Sequence, residues 1–349
     1  HQFGIKLGLE NIQKLLGELC NPEKTLKTIH VAGSNGKGST ASFICSILIE
    51  AGLKTGLYTS PHLVKFNERI RINGKTIPDD FVLDFMNELN DYINKYSPTF
   101  FEITTAMAFK YFADEHVDVA VIETGLGGRL DATNVLSPIA SVITTISEEH
   151  TNILGSDLKI IAFEKGGIIK RDSNAIIGLI DDDPKNVLMD MAAKLNTKYF
   201  LLENYIESHQ NILQIIFNRR KVNINDLPLK GRYQIKNAAL AILTIFVTKP
   251  EINCDQILRG LKNVIINSGI QARYEVYNEA PKVIFDAAHN YEGAIEFLDE
   301  FNKELMNYNK CVAIYGTMKD KNFSAILNAL DKIFDEIYVT EIDYERSAT

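Results

Sequence analysis

Residues 31–40, with the sequence VAGSNGKGST, constrain the fold of this chain more than any other stretch. The preceding residues 26–32 are apolar and β-branched and predict a short strand, whereas residues 39–50 carry apolar side chains at helical spacing. Glycines between a strand and a helix start allow close backbone approach, and the positive end of the helix dipole favours an anion. We therefore predict a loop that wraps a polyphosphate, with Lys37 neutralising the outer phosphates.

The loop departs at one position from the strict phosphate-binding pattern. That pattern places Ser or Thr directly after the lysine, whereas Gly38 stands between Lys37 and Ser39 here. A glycine-rich turn without a ligand is the alternative interpretation. The combination of strand, glycines, lysine and helix favours the phosphate loop.

Composition limits the class of protein. With 349 residues, 46% of them hydrophobic, the chain can bury two cores, so we expect two domains. A net charge of −8 without a run of basic residues argues against a nucleic-acid partner. Four scattered cysteines are typical of free thiols in a reducing cytosol. The longest apolar run, residues 238–247, is about half of a membrane helix of roughly 20 residues, and no leader is evident, so we expect a soluble cytoplasmic protein without a membrane partner.

Strand and helix patterns alternate along the chain and predict a mostly parallel sheet with helices on both faces. A turn cluster at residues 267–269 precedes a second, smaller series. We therefore predict a P-loop nucleotide-binding domain over residues 1–268 and a smaller, Rossmann-like α/β domain over residues 269–349. Because the chain begins at His1 without a methionine, we expect a portion of a longer protein and an incomplete second domain. Further predicted strands are 55–58, 117–123, 141–146, 283–285, 311–315 and 336–340, predicted helices are 80–96, 103–115, 234–248, 291–306 and 324–335, and residues 211–222 are predicted to form a hairpin or meander.

Two candidate metal ligands stand beside the predicted phosphate loop. Residues 59–70 are polar and turn-rich and predict a long functional loop, in which the Ser60 hydroxyl is a candidate Mg²⁺ ligand; a Ser-Pro turn is the alternative. Glu123 ends a predicted buried strand, and ligands collect at the carboxyl ends of strands in open α/β sheets. A carboxylate there, close to phosphate, is the usual ligand of a divalent cation.

Four further side chains are candidates. His150 follows a strand at the same sheet edge, although a lone histidine is more often structural. Lys165 could supply negative oxygens as a carbamate formed with carbon dioxide, the alternative being a surface lysine. Arg273 and Asp286 offer a cation for phosphate and an acceptor for a ribose hydroxyl from across a cleft. The alternative for Arg273 is a surface charge, and the alternative for Asp286 is a helix cap.

Several motifs together carry a family resemblance over nearly the whole chain. They lie at residues 8–10, 30–39, 60–64, 66–70, 101–102, 123–134, 149–150, 164–165, 234 and 237, 286 with 289–290, and 316–321. This combination resembles the folylpolyglutamate synthase and dihydrofolate synthase family, a branch of the Mur-ligase-like ATP-dependent amide ligases. One departure is Ala272, where the family usually has a glycine before the arginine.

The resemblance implies a set of site residues. For ATP they are Asn35, Gly36, Lys37, Gly38, Ser39, Asn237, Arg273 and Asp286; for the pterin they are Thr99, Phe100, Phe101, Glu102, Leu130, Asp131 and Ala132. It assigns one Mg²⁺ to Ser60 and Glu123 and a second to His150 with carbamylated Lys165, and it leaves a monovalent cation as a further candidate. Lys37, Lys165, His150 and Arg273 are the implied catalytic residues.

The resemblance also implies two-step amide formation. A pterin carboxylate attacks the γ-phosphate of ATP, and glutamate then attacks the acyl phosphate. The motif Leu130-Asp131-Ala132 favours a bifunctional dihydrofolate and folylpolyglutamate synthase acting on dihydropteroate or reduced folate, and we expect a monomer. A monofunctional folylpolyglutamate synthase is the first alternative. A nucleotide-binding switch is the second, but residues 94–97 do not form the Asn-Lys-x-Asp motif that reads a base.

Overall fold

The computed structural model describes residues 8–148, 155, 157–209, 212–319 and 323–341. The strands are β1 Thr28–Ala32, β2 Thr55–Tyr58, β3 Ile70–Ile72, β4 Lys75–Thr76, β5 Val119–Glu123, β6 Ala140–Ile143, β7 Asn174–Ile177, β8 Lys198–Leu201, β9 Ile206–His209, β10 Ile212–Phe217, β11 Arg220–Ile224, β12 Glu275–Glu279, β13 Lys282–Phe285, β14 Val312–Tyr315 and β15 Glu336–Val339. The helices are α1 Glu10–Glu18, α2 Lys37–Glu50, α3 Asp79–Glu88, α4 Asn90–Tyr96, α5 Phe100–Asp114, α6 Leu158–Gly166, α7 Asp182–Lys194, α8 Arg232–Thr248, α9 Cys254–Lys262, α10 Val264–Ser268, α11 Tyr291–Phe301 and α12 Phe323–Leu330.

The main sheet has the strand order β4-β3-β2-β5-β1-β6-β7-β8 within the described residues. Its six strands from β2 to β8 in that order are parallel, and β3 and β4 add an antiparallel edge. Every residue of β1 and β5 is buried, which is typical of parallel strands covered on both faces. The predicted fold class, a mostly parallel α/β sheet with helices on both faces and a smaller second α/β unit, is confirmed.

Helices cover both faces of this sheet. On one face α2 and α8 pack with side chains of β1, β5 and β6 in a single apolar cluster. On the other face α1 and α5 form one cluster and α6 and α7 another. Helix α8 buries most of its residues, as expected of a helix that is apolar around its circumference.

This topology gathers the polar segments that follow the strands. Strands β2, β5, β1 and β6 are adjacent and parallel, so their carboxyl ends lie at one edge of the sheet. The chain leaves these strands at Tyr58, Glu123, Ala32 and Ile143, respectively. Residues that are far apart in sequence therefore meet at this edge, the usual ligand-binding edge of an open α/β sheet.

Some predicted boundaries were wrong. The predicted helix 80–96 is two helices, α3 and α4, because Leu89 leaves helical geometry with ψ of 4° and stays buried while α4 buries no residue. The predicted loop 59–70 ends in a short 3₁₀ turn, Phe66–Arg69, that leads directly into β3. The predicted helix 291–306 ends at Phe301.

The C-terminal part is a smaller α/β unit. An antiparallel hairpin, β12–β13, and a parallel pair, β14–β15, accompany α11 and α12, which share a small apolar cluster. Helix α10 ends at Ser268, and Gly269 follows with a φ of 65°. The division into domains at residue 268 stays a prediction. None of the helices in the described part of the chain has the length and apolar character that a bilayer-crossing helix needs.

Candidate functional site

The glycine loop joins β1 to α2 in a backbone conformation that depends on two glycines. Gly33 has a φ of 147° and Gly36 a φ of 83°. A Cβ atom on Gly33 would lie 1.9 Å from Oγ1 of Thr144, and one on Gly36 would lie 2.4 Å from Oδ1 of Asn237. The loop can therefore pass between the end of β6 and helix α8 only without side chains at these positions. Helix α2 begins directly after the loop, so the unpaired N–H groups of its first turn face it.

Two lysine ammonium groups converge on one carbonyl oxygen of this loop. Nζ of Lys37 donates to the carbonyl oxygens of Gly33 and Ser34, at 2.7 and 2.9 Å. Nζ of Lys165, in the last turn of α6, donates to the same Gly33 oxygen at 2.9 Å, although Lys165 is only 1% exposed. Two cations that share one acceptor repel each other, so a negative group placed beside them is strongly favoured.

Glu123 is the acidic counterpart of these lysines. Its carboxylate is buried at the end of β5, and Oε2 accepts a hydrogen bond from the backbone N–H of Ser60 at 3.0 Å. Burial raises the pKa of Glu123, and the positive charges of Lys37 and Arg273 oppose that rise. The predicted metal ligands Ser60 and Glu123 are thus adjacent, beside cationic side chains.

A single point of the loop shows how closely these groups approach. A Cβ atom on Gly38 would lie 3.5 Å from Oε2 of Glu123 and 3.8 Å from Nη2 of Arg273. A cavity of about 90 Å³ opens at this point, and its lining includes Gly38, Ser60, Glu123 and Arg273. The loop, the carboxylate and the arginine therefore line one cavity.

A second cavity, of about 80 Å³, lies beside the preceding loop residues. Its lining includes Asn35 and Gly36 from the loop and Tyr233 and Asn237 from α8. The side chain of Asn290, at the start of α11, donates to Oδ1 of Asn35 at 2.8 Å. The C-terminal unit therefore reaches the loop directly.

Arg273 and Asp286 lie at the edge of that unit. Both carboxylate oxygens of Asp286 accept backbone N–H groups, from Tyr274 and Ala288, each at 2.7 Å. Burial raises the pKa of Asp286, while those two N–H groups and Arg273 lower it. Arg273 stands between two residues in the left-handed region, Ala272 at a φ of 52° and Tyr274 at 50°. Glycine adopts that region freely, so the alanine at 272 keeps a conformation that the family's usual glycine would reach without strain.

The predicted pterin residues lie in two segments, the start of α5 and the turn at residues 130–132. Thr99 and Glu102 form a capping box at the start of α5, in which the Thr99 hydroxyl accepts from the Glu102 N–H and the Glu102 carboxylate accepts from the Thr99 N–H. The ring of Phe101 packs on the backbone of Gly125, where a Cβ atom would lie 2.5 Å from the ring. Phe100 instead is 48% exposed and packs elsewhere. Phe101 therefore packs against the loop that follows Glu123.

Asp131, between Leu130 and Ala132, shapes that loop. Its Oδ2 accepts from the N–H groups of Gly125 and Leu126 at 2.9 and 2.8 Å, and its Oδ1 accepts from the hydroxyl of Thr133. Burial raises the pKa of Asp131, and these hydrogen bonds oppose the rise. The carboxylate therefore fixes the turn that presents Leu130 and Ala132.

A buried histidine supports the same turn. Nε2 of His30, on β1, lies 2.8 Å from Oγ1 of Thr133. Since the Thr133 hydroxyl donates its proton to Asp131, it must accept from His30, which makes His30 the Nε2–H tautomer. Burial, with the nearby charge of Lys170, lowers the pKa of His30 to about 3.

The structure thus brings most of the predicted ATP and metal residues to one sheet edge. Ser39 lies buried in the first turn of α2. His150 falls outside the described residues. Within the described residues, no three His, Cys, Asp or Glu side chains form a cluster that could hold a metal ion. Glu123 and Glu68 are the carboxylates among the residues that line the cavity at Gly38. Sequence reasoning missed Arg69, Tyr233 and Asn290, although the first and last stand inside motifs that were identified.

A larger cavity of about 620 Å³ opens in the C-terminal unit, between β13 and β14. Its lining is mostly apolar and includes Phe285, Phe297, Val312 and Ile314, together with Asp286. An apolar surface of this kind does not suit a triphosphate, so the loop edge is the candidate site.

Known proteins resemble this chain over most of its length. The model of the Mur ligase middle domain matches residues 31–245, and that of the Mur ligase glutamate ligase domain matches residues 272–349. A Bacillus subtilis (strain 168) protein named dihydrofolate synthase/folylpolyglutamate synthase is 35% identical, over 99% of this chain and 84% of its own. A Lacticaseibacillus casei folylpolyglutamate synthase is 33% identical, over 95% of this chain and 80% of its own. The solved structure titled E. coli FolC in complex with DHPP and ADP superposes with a TM-score of 0.90 at 31% identity, covering 100% of this chain and 82% of that one.

The buried His30 predicts a specific pH dependence of stability. Its folded-state pKa of about 3 lies below the ordinary value of 6.5. As the pH falls below 6.5, the unfolded chain binds a proton that the folded chain does not, so stability falls. The variant His30→Gln can keep a donor to Thr133 and does not titrate. We expect wild type to lose about 2 to 3 kcal/mol relative to His30→Gln between pH 6.5 and 4.5, in urea unfolding curves. Parallel pH profiles for the two proteins would contradict the burial of a neutral His30.

Proposed function

Because the chain belongs to the Mur ligase family, in the branch of the dihydrofolate and folylpolyglutamate synthases, we propose that it joins L-glutamate to the carboxylate of a pterin substrate with ATP. The chain is an ATP-dependent ligase by family. The observation that carries the proposal is the convergence of the loop, Lys37, Lys165, Glu123 and Arg273 at one sheet edge. This arrangement suits phosphoryl transfer, in which positioning and charge neutralisation provide most of the catalysis.

The proposed reaction has two steps. An oxygen of the pterin carboxylate attacks the γ-phosphorus of ATP, the bond to the bridging oxygen breaks, and ADP leaves. The amino nitrogen of glutamate then attacks the acyl carbon, the carbon–oxygen bond to phosphate breaks, and phosphate leaves while the nitrogen loses a proton. The match of the C-terminal residues to a glutamate ligase domain supports glutamate as the amine.

We assign the phosphates of ATP to the glycine loop. Lys37 supplies a positive charge, and the first-turn N–H groups of α2 at Gly38 and Ser39 supply donors. The nucleoside belongs to the cavity lined by Asn35, Gly36 and Asn237. From the C-terminal unit, Arg273 neutralises phosphate charge. Asp286 holds the turn beside Arg273 and accepts from a ribose hydroxyl.

The donor set at the loop fits Mg²⁺. Burial penalises the ionised form of Glu123, and a bound cation would stabilise it. Ser60 is adjacent, since its backbone N–H donates to Glu123, and its hydroxyl adds an oxygen donor. Mg²⁺ takes few protein ligands and completes its shell with water and phosphate oxygens, so one carboxylate suffices. When bound, the ion supplies charge neutralisation at the phosphates.

Lys165 is proposed to help hold a second Mg²⁺ with His150. As an ammonium it repels Lys37 at their shared acceptor. Addition of its neutral amine to carbon dioxide forms a nitrogen–carbon bond, releases one proton and yields a carbamate, whose charge would instead attract Lys37. A monovalent cation is a further candidate ligand of this region.

We propose that the pterin binds between the start of α5 and the loop after Glu123. Phe101 and the turn carrying Leu130 and Ala132 provide apolar surface, and Asp131 holds that turn in place. Thr99 and Glu102 fix the first turn of α5 through their capping box. Phe100 lies at the exposed rim.

The substrate range is tested by two parallel assays. We expect the purified protein to release ADP with dihydropteroate plus glutamate and also with tetrahydrofolate plus glutamate. When glutamate is omitted, we expect no more than a single turnover of ADP release. ADP release in the assay with tetrahydrofolate plus glutamate, but not in the assay with dihydropteroate plus glutamate, would identify the first alternative, a monofunctional folylpolyglutamate synthase. Nucleotide hydrolysis that is independent of both pterin and glutamate would contradict the proposal and revive the nucleotide-binding switch.

Glu123→Ala tests the metal assignment. Removal of this buried carboxylate should lower kcat at least about a hundred-fold, because it removes charge stabilisation in the reacting complex. The control is Asp84→Ala, which removes an exposed carboxylate on α3. Both are measured as Mg²⁺-dependent ADP release. A Glu123→Ala protein as active as Asp84→Ala would overturn the assignment.

A further inference from the structure

Arg69 is a buried arginine whose guanidinium is only partly used. It ends the 3₁₀ turn before β3 and is 8% exposed. Its Nε donates to Nδ1 of His62 at 2.8 Å, and its Cζ lies 5.2 Å from the ring centroid of Phe100. Among the described residues, no hydrogen-bond acceptor meets either terminal nitrogen. Arginine stays charged in proteins, so the two terminal nitrogens remain donors that an anion can use.

The surroundings of Arg69 show which ligand it would meet. Its charge is felt by Glu123 and Tyr58, and the ring of Tyr58 lies 6.1 Å from that of Phe101. Arg69 therefore stands between the carboxylate assigned to Mg²⁺ and the aromatic residues at the start of α5. Under the proposed function, the acyl carboxylate of the substrate lies in the same region, because it connects the pterin portion near α5 to the γ-phosphate near Glu123.

Two neighbours hold the guanidinium in one orientation. Nδ1 of His62 accepts from Nε, so this nitrogen carries no proton and both terminal nitrogens are left for a ligand. The ring of Phe100 lies beside the guanidinium, and Phe66 packs on Phe100 edge to face with centroids 5.9 Å apart. A planar fork fixed in this way matches the two oxygens of a carboxylate.

We propose that Arg69 binds the substrate carboxylate that becomes phosphorylated, and that His62 is a positioning residue acting through Arg69. The inference rests on the proposed function, since it presumes a pterin acid as substrate. Its physical reason is charge. The incoming carboxylate approaches Glu123, and the two negative groups repel unless a cation lies beside them.

The test compares binding of pteroate with binding of its carboxamide, by fluorescence titration without ATP. The amide has the same shape but no negative charge. We expect wild type to prefer the acid by about ten- to a hundred-fold, as for a hydrogen-bonded charge. Arg69→Gln should reduce this preference to about three-fold or less by weakening acid binding alone. Arg69→Lys, which keeps the charge but not the fork, should give an intermediate preference.

Matched variants separate this role from a structural one. Arg171→Gln makes the same charge change at an exposed residue before β7 and should keep the wild-type preference. His62→Asn retains an acceptor near the position of Nδ1 and should keep most of the preference for the acid over the carboxamide. His62→Leu removes the acceptor and should lower that preference. Affinity for ATP, measured on every variant, should stay within about two-fold of wild type.

The outcomes distinguish the two hypotheses. If wild type binds neither pteroate nor the carboxamide, the proposed function fails. If wild type prefers the acid and both Arg69 variants keep that preference, the function stands and the role of Arg69 is overturned. Equal weakening of acid and amide binding in Arg69→Gln and Arg69→Lys would also overturn it, because Arg69 would then support the pocket rather than the carboxylate.

Discussion

The shared carbonyl oxygen of Gly33 is the interaction on which the candidate site depends. Lys37 and Lys165 both donate to it, although they come from different helices and are separated by more than a hundred residues. Two ammonium groups at one acceptor concentrate positive charge at this point of the loop, and they tie α2 and α6 to the end of β1. A glycine is required there, because the loop backbone passes against Thr144.

The same sheet edge carries opposing charge. Glu123 is buried across the loop from these lysines, and its carboxylate is held by the N–H of Ser60. The parallel order of β2, β5, β1 and β6 is the cause, since it delivers four strand ends to one place. The proposed site for a metal-bound triphosphate lies at this edge, and Arg273 and Asn290 of the C-terminal unit reach it.

The sequence predicts the sheet, the loop and the position of Glu123 at the end of a buried strand, because each depends on a local pattern. The role of Glu123 as a metal ligand stays a prediction. Strand β2 lies at residues 55–58, as its β-branched and apolar pattern predicts. The break at Leu89 carries no glycine or proline signal, so it was not predictable. Arg69 was missed for another reason: its importance comes from burial and unused donors, which only the packing of the turn before β3 determines. The capping role of Thr99 and Glu102 was visible as a Thr-x-x-Glu pattern but was not used.

The central claim is that a carboxylate is activated as an acyl phosphate before glutamate attacks. Dihydropteroate labelled with ¹⁸O in its carboxylate tests it directly, with mass spectrometry of the inorganic phosphate released in the presence of ATP and glutamate. The account predicts that one labelled oxygen appears in the phosphate for each amide formed, because the carbon–oxygen bond to phosphate breaks in the second step. Phosphate without the label, together with labelled amide product, would contradict it.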